Sequence, residues 1–164
     1  MKKKLKVLMI DDHPMIIEGY KNTLLGENQK EYQIKIDIAS NCDDAYDAIL
    51  KSSKGNPYDM LFIDIKLPPS SDGTITSGED LAKHAKELLP KARIIILTMH
   101  REDHRIHNIL KNINPSGFLI KSDLTSSELL QAFNNIVNGT PYYSATVNNH
   151  FRKMMNNSFS LDEK

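Results

Sequence analysis

The residues able to do chemistry are three aspartates, a threonine and a lysine, each set at the end of an apolar run. Asp11 and Asp12 close "KVLMI", Asp64 closes "MLFI", Thr98 follows "IIIL" and Lys121 follows "GFLI". Two adjacent carboxylates at the end of a buried strand repel each other, and their ionisation is costly unless a cation stands nearby. Three carboxylates brought together make a hard oxygen site suited to Mg2+, which takes few protein oxygens and keeps waters for a phosphate ligand. Asp64 then becomes a carboxylate nucleophile able to accept a phosphoryl group. Thr98 can hydrogen-bond a phosphoryl oxygen, and Lys121 supplies a point charge to it.

This chemistry requires the runs to end on one rim of the molecule. Short stretches rich in Ile, Val and Leu alternate with segments of helical spacing, a pattern that predicts parallel strands joined by crossover helices. Strands are expected near Leu5 to Ile10, Ile34 to Ala39, Met60 to Asp64, Ala92 to Leu97 and Gly117 to Ile120. Runs one, three and four are continuously apolar rather than alternating, so both sheet faces should be covered. Ser40 with Asp43, Ser77 with Asp80 and Thr125 with Glu128 have capping spacing, and Gly139 before Pro141 ends the last of these helices. The expected fold is a (βα)5 doubly wound five-stranded parallel sheet, with ligands at the carboxyl ends of the strands. Residues 140–164 place Val147, Phe151 and Met154 at helical spacing. They are expected to form a linker helix and tail after a domain of residues 1–139, with a helix packed on that domain as the rival reading.

Composition narrows the classes. The 164 residues are 40% hydrophobic and 26% charged, enough for one good core, and 21 basic residues balance 21 acidic ones. No overall basic field favours nucleic acid. One cysteine, Cys42, excludes an internal disulfide framework and a multi-cysteine zinc site. The basic start of "MKKKLKVLMI" imitates a signal peptide, but Lys6 interrupts the apolar run and Asp11 ends it. No run approaches membrane-span length, and the expected compartment is the cytoplasm.

The ordered set Asp11, Asp12, Asp64, Thr98 and Lys121 resembles the receiver domain of two-component response regulators, over residues 5 to 139. The wording "DDHPMIIEGYKNTL" and "LTMHRED" is similar to the NarL/LuxR class, in which a receiver precedes a DNA-binding helix-turn-helix. The resemblance implies a flavodoxin-like, CheY-like fold and phosphorylation of Asp64 by a sensor histidine kinase with Mg2+. It further implies that Asp12 and Asp64 bind the ion directly, Asp11 acts mainly through water, and the backbone carbonyl of Lys66 completes the protein ligands. Thr98 and Phe118 would be the switch pair, read out on the fourth helix, fifth strand and fifth helix. A homodimer on phosphorylation is the implied consequence. DNA would be reached only through an output domain outside this chain.

Departures from the family pattern are equally visible. The connection "PPSSDGTITSG" after Leu67 is longer than usual, leaving open whether Gly73 or Gly78 takes the usual glycine place. Such an insertion could alter kinase choice or cover the acyl phosphate. Met99 is bulkier than the small residue many receivers carry there and could restrict access, while Lys66 is either a modifier of dephosphorylation or a solvated side chain. Taken singly, the motif residues have ordinary readings: Asp11 and Asp12 as a helix cap, Thr98 as a strand residue, Lys121 as a surface lysine and Phe118 as core. His100, His104 and His107 share a helical face and invite a zinc reading, but a polar helix surface is preferred. His13 is read as a loop residue rather than a catalytic base, and Met154 and Met155 as packing residues. Two rivals remain: a Mg2+-dependent phosphohydrolase of the haloacid dehalogenase kind, and a phosphorylation-independent interaction module. The first usually carries a second acid two residues after its nucleophile, where Lys66 stands here.

Overall fold

The computed structural model describes residues 3–28, 31–99 and 103–162. Six strands, β1 (Lys3–Ile10), β2 (Tyr32–Ala39), β3 (Met60–Asp64), β4 (Arg93–Thr98), β5 (Gly117–Ile120) and β6 (Tyr142–Tyr143), pair in the order β2-β1-β3-β4-β5-β6. Every pairing is parallel. The helices are α1 (Pro14–Asn28), α2 (Cys42–Ser53), α3 (Gly78–Leu88), α4 (Asp103–Ile113), α5 (Ser126–Val137) and α6 (Ala145–Asp162). The expected sheet is therefore present with one correction. A sixth strand of two residues extends it, because the Tyr142 and Tyr143 backbones add to β5 just after the last turn of α5.

Alternate strand residues feed two cores. Val7, Met9, Phe62, Leu97 and Leu119 face Leu24 of α1 and Leu129 and Phe133 of α5. Leu8, Ile10, Ile63, Ile96 and Phe118 face the other side, with Ile49 of α2, Leu81 of α3 and Ile109 of α4. Both faces are thus dry, as the continuous apolar runs require.

Helix starts follow the predicted chemistry with one shift. Ser77 accepts from the Asp80 amide and Thr125 from the Glu128 amide. For α2 the cap is Asn41, accepting from the Asp44 amide at 2.8 Å, and not Ser40 with Asp43. Both pairs have the same spacing, and β2 runs through Ala39, which leaves Ser40 in the connection. After α5, Gly139 takes a positive φ of 93° and its amide bonds to the Ile136 carbonyl, ending the helix where the sequence predicts.

The segment beyond Gly139 packs on the sheet's far end. Ser144 donates its amide to the Phe118 carbonyl, Val147 is fully buried and His150 nearly so. Tyr143 stacks on Phe151, and α6 lies against α4 and β5. Among the described residues, no helix is long and apolar enough to cross a membrane.

Candidate functional site

The strand order reverses between β1 and β3: the chain leaves β1 for β2 on one side and returns to β3 on the other. A crevice opens above that pair, the place where doubly wound sheets bind ligands. Asp11 directly follows β1, and Asp64 is the last residue of β3. Their side chains are almost completely buried, whereas Asp12 is partly exposed.

Lys121 reaches this pair from the end of β5. Its Nζ donates to Asp11 Oδ2 at 2.7 Å and lies 3.5 Å from Asp64 Oδ2, with only 3% of the side chain exposed. Part of the positive charge that the acids need thus comes from the chain itself: one buried ammonium bridges two of the three carboxylates. It does not neutralise the cluster. Burial, and then the neighbouring Asp11 carboxylate, push the Asp64 carboxyl above its ordinary range, against the opposing pull of Lys121 and of the Lys66 amide. That amide donates to Asp64 Oδ1 at 3.1 Å, while the Lys66 side chain stands in solvent.

Thr98 ends β4 as a buried residue with Ile120 as its register partner. Phe118 pairs with Ile96, two positions back, so Thr98 and Phe118 lie on the same face of the sheet. The Phe118 ring is fully buried among the residues covered by α2, α3 and α4. Asp11, Asp12, Asp64 and Lys121 thus meet in the pocket, the Lys66 amide borders it, and Thr98 and Phe118 line the strands beside it.

The two glycines of the long connection are separated by close approach. A Cβ on Gly78 would stand 1.9 Å from the Asp64 carbonyl oxygen, and the Gly78 amide donates to the Ile65 carbonyl at 3.0 Å. Gly78 thus lets α3 begin hard against the β3 end. Gly73 serves differently, taking a positive φ of 75° in the turn of the connection. That connection is well anchored: Ser71 bonds Asp43, Cys42 Sγ donates to the Pro68 carbonyl, and Ile75 is buried. Asp72 accepts from Ser70 Oγ and from the Thr74 amide and hydroxyl, which hold its carboxyl down at about 2.

Met99 is 57% exposed and lines a groove of about 430 Å³ with Met15, Tyr20, Lys121 and Leu129, between α1 and the start of α5. Burial, with help from Asp11 and Asp64, pushes the Tyr20 phenol up to about 12, so this hydroxyl stays protonated near the acids. His100 lies outside the described residues; His104 is exposed and His107 packs edge-on against His150.

One neighbour of the acids is not evident from sequence. His13 Nδ1 stands 2.8 Å from Asp11 Oδ1, 3.0 Å from Asp12 Oδ1 and 3.9 Å from Asp64 Oδ2. Its carbonyl accepts from Ile16 and Ile17 at the start of α1, and its own amide donates to Asp11 Oδ1. The backbone turn thereby fixes where the ring goes. Asp11, Asp12, His13 and Asp64 form the one group of potential metal ligands among the described residues, with their ligand atoms within 4.8 Å of one another. The donor set fits a divalent cation: three carboxylates against one buried lysine leave negative charge to be neutralised.

A six-stranded parallel sheet with an acidic crevice at its switch point defines a class of ligand-binding α/β domain, and the comparisons with known proteins give the family. The model of the response regulator receiver domain matches residues 7–134. The chain belongs to that family, whose members are signalling switches rather than conventional enzymes. It is 25% identical over 138 residues to the oxygen regulatory protein NreC of Staphylococcus haemolyticus, covering 84% of this chain and 57% of the relative. It is 24% identical over 161 residues to the transcriptional regulatory protein DegU of Brevibacillus brevis, covering 98% and 62%. The chain thus spans about three fifths of the length of these relatives. A LuxR-family two-component response regulator from Aurantimonas sp. SI85-9A1 superposes with a TM-score of 0.72 at 24% identity, covering 93% of this chain and 99% of that one. The isolated receiver domain of RcsB from Salmonella enterica serovar Typhimurium, solved with the phosphomimetic BeF3-, gives 0.72 at 19%, covering 90% and 99%. Expectations of a receiver fold and of family membership hold.

Proposed function

We propose that this receiver is switched by phosphorylation of Asp64 from a sensor histidine kinase, and that it regulates transcription through a DNA-binding output domain outside this chain. The observation that carries the reading is the pocket itself: a buried carboxylate at the β3 end, held by Lys121 and flanked by two further acids at the β1 end. Asp11, Asp12 and Asp64, with the Lys66 carbonyl, would hold Mg2+, which when bound neutralises the acids and the incoming phosphoryl oxygens.

The chain's own groups do the rest. An Asp64 carboxylate oxygen attacks the phosphorus of the donor, the bond from phosphorus to the kinase imidazole breaks, and the electron pair leaves on that nitrogen. Lys121 moves its charge-assisted hydrogen bond toward the new phosphoryl oxygens, and Thr98 bonds another of them. With the Thr98 hydroxyl drawn to the pocket, Phe118 repacks on the same sheet face. The β5 backbone that carries Phe118 also holds Ser144, and so links the pocket to α6. Lys66 stands two residues after Asp64, where the phosphohydrolase alternative carries its second acid, so that alternative has no support here.

The test is intact-mass measurement after incubation with acetyl phosphate and Mg2+. The native chain should gain one phosphoryl group that requires the metal, and Asp64→Asn should gain none. A native chain that neither gains mass nor binds beryllofluoride would overturn the reading.

A further inference from the structure

His13 is unused by the chemistry above, yet its half-exposed ring stands against the carboxylates of the acidic pocket. We propose that His13 is a nitrogen ligand of that pocket, which makes it a site for first-row transition ions such as Co2+ as well as for Mg2+. The proposal rests on the metal-assisted reading of Asp64 and adds to it the ion's identity.

Spacing is the first argument. With bonds of about 2.1 Å, an octahedral ion sets adjacent ligand atoms about 3 Å apart and opposite ones about 4 Å apart. His13 Nδ1 lies at 2.8 and 3.0 Å from one oxygen each of Asp11 and Asp12, and at 3.9 Å from one of Asp64. As a hydrogen-bond donor Nδ1 carries one proton and serves one oxygen well. Placement against oxygens of three carboxylates is instead the spacing of atoms that share a cation.

Local structure is the second. His13 sits in the turn between Asp12 and Pro14, where its carbonyl starts α1 and its amide holds Asp11. Main-chain bonds on both sides of the residue therefore fix the Cβ direction toward the acids, so little ordering entropy remains to be lost on binding an ion. The side chain is 56% exposed, which leaves the ligand position accessible from solvent.

Donor chemistry gives the consequence. Carboxylates and water suit Mg2+, whereas imidazole favours later first-row ions, whose affinity rises from Mn2+ to Cu2+ at a given nitrogen and oxygen site. A mixed set accepts both classes and lets the available metal decide which one sits beside Asp64.

The experiment uses the tag-free chain, with Co2+ and Mg2+ titrated by calorimetry and the Co2+ form followed by proton NMR. The native chain should bind Co2+ more tightly than Mg2+ and show a far-shifted imidazole N–H resonance. His13→Ala should lose about tenfold or more in Co2+ affinity, with Mg2+ affinity little changed. The shifted resonance should vanish in His13→Ala and also in Asp12→Ala. If His13→Ala instead binds Mg2+ more tightly with Co2+ unchanged, His13 only hydrogen-bonds into the pocket and the inference fails while the receiver reading stands. A resonance that persists in His13→Ala puts the ion on other histidines, and the inference fails in the same way. A native chain that binds neither ion removes the pocket as a metal site and overturns both.

Discussion

Asp64 stands just before the long connection and Asp72 within it, and the two are held in opposite ways. Asp72 is solvent-exposed and collects hydrogen bonds from Ser70 and Thr74, which favour its charged form and bring it down to about 2. Asp64 is buried beside Asp11, and its charged form is disfavoured despite Lys121. The first carboxylate is satisfied and serves to close a turn. The second is left with an electrostatic deficit that a proton, an added cation or a chemical change can relieve, which is the condition of a group waiting for a partner.

The sharpest way to break that contrast is to remove the Lys121 ammonium that bridges Asp11 and Asp64. Lys121→Met leaves two buried carboxylates without their bridge, and should cost about 3 kcal/mol in metal-free buffer by chemical denaturation. Mg2+ should recover much of the loss; no recovery would mean that the acids do not share an ion.

Asp64→Asn should move stability the other way. Because its carboxyl lies above the ordinary range, the folded chain holds that proton more tightly than the unfolded one, so stability falls as pH rises from the ordinary value through the raised one. The variant should therefore melt a few degrees higher than the native chain at neutral pH without metal. That gain should disappear in acid below the ordinary carboxylate range.

The smallest effect is expected at Asp72. Its lowered carboxyl contributes stability above the ordinary value that is lost as pH falls toward about 2, and Asp72→Asn should remove that dependence. At neutral pH the variant should show only a slight drop in melting temperature, since the charge is fully solvated.

The sequence made the pocket's main members legible because each ends a buried run, and a run's end is a position that periodicity locates well. Asp11, Asp64, Thr98 and Lys121 each stand where a strand stops or one residue beyond. His13 was not legible in the same way. It follows the acids in sequence, but only the turn into α1 decides that its ring comes back over them. The α2 cap slipped by one because Ser40 and Asn41 both precede an aspartate at the right distance, and only the length of β2 chooses between them. Tyr142 and Tyr143 carry no alternation to read, since two residues make no period. Gly73 and Gly78 look alike in the sequence and are separated only by the Asp64 carbonyl that one of them must clear.

The brief β6 strand has a consequence for solubility. An open sheet ends in a row of unpaired amides and carbonyls that invites other chains to add on, and a very short outer strand offers them little length to copy. Here Tyr142 and Tyr143 occupy the flank of β5, and the chain then turns into α6. A chain cut after Gly139 would uncover that flank, together with the apolar surface that buries Val147. Self-association of such a fragment would then report a bared sheet margin rather than a signalling dimer.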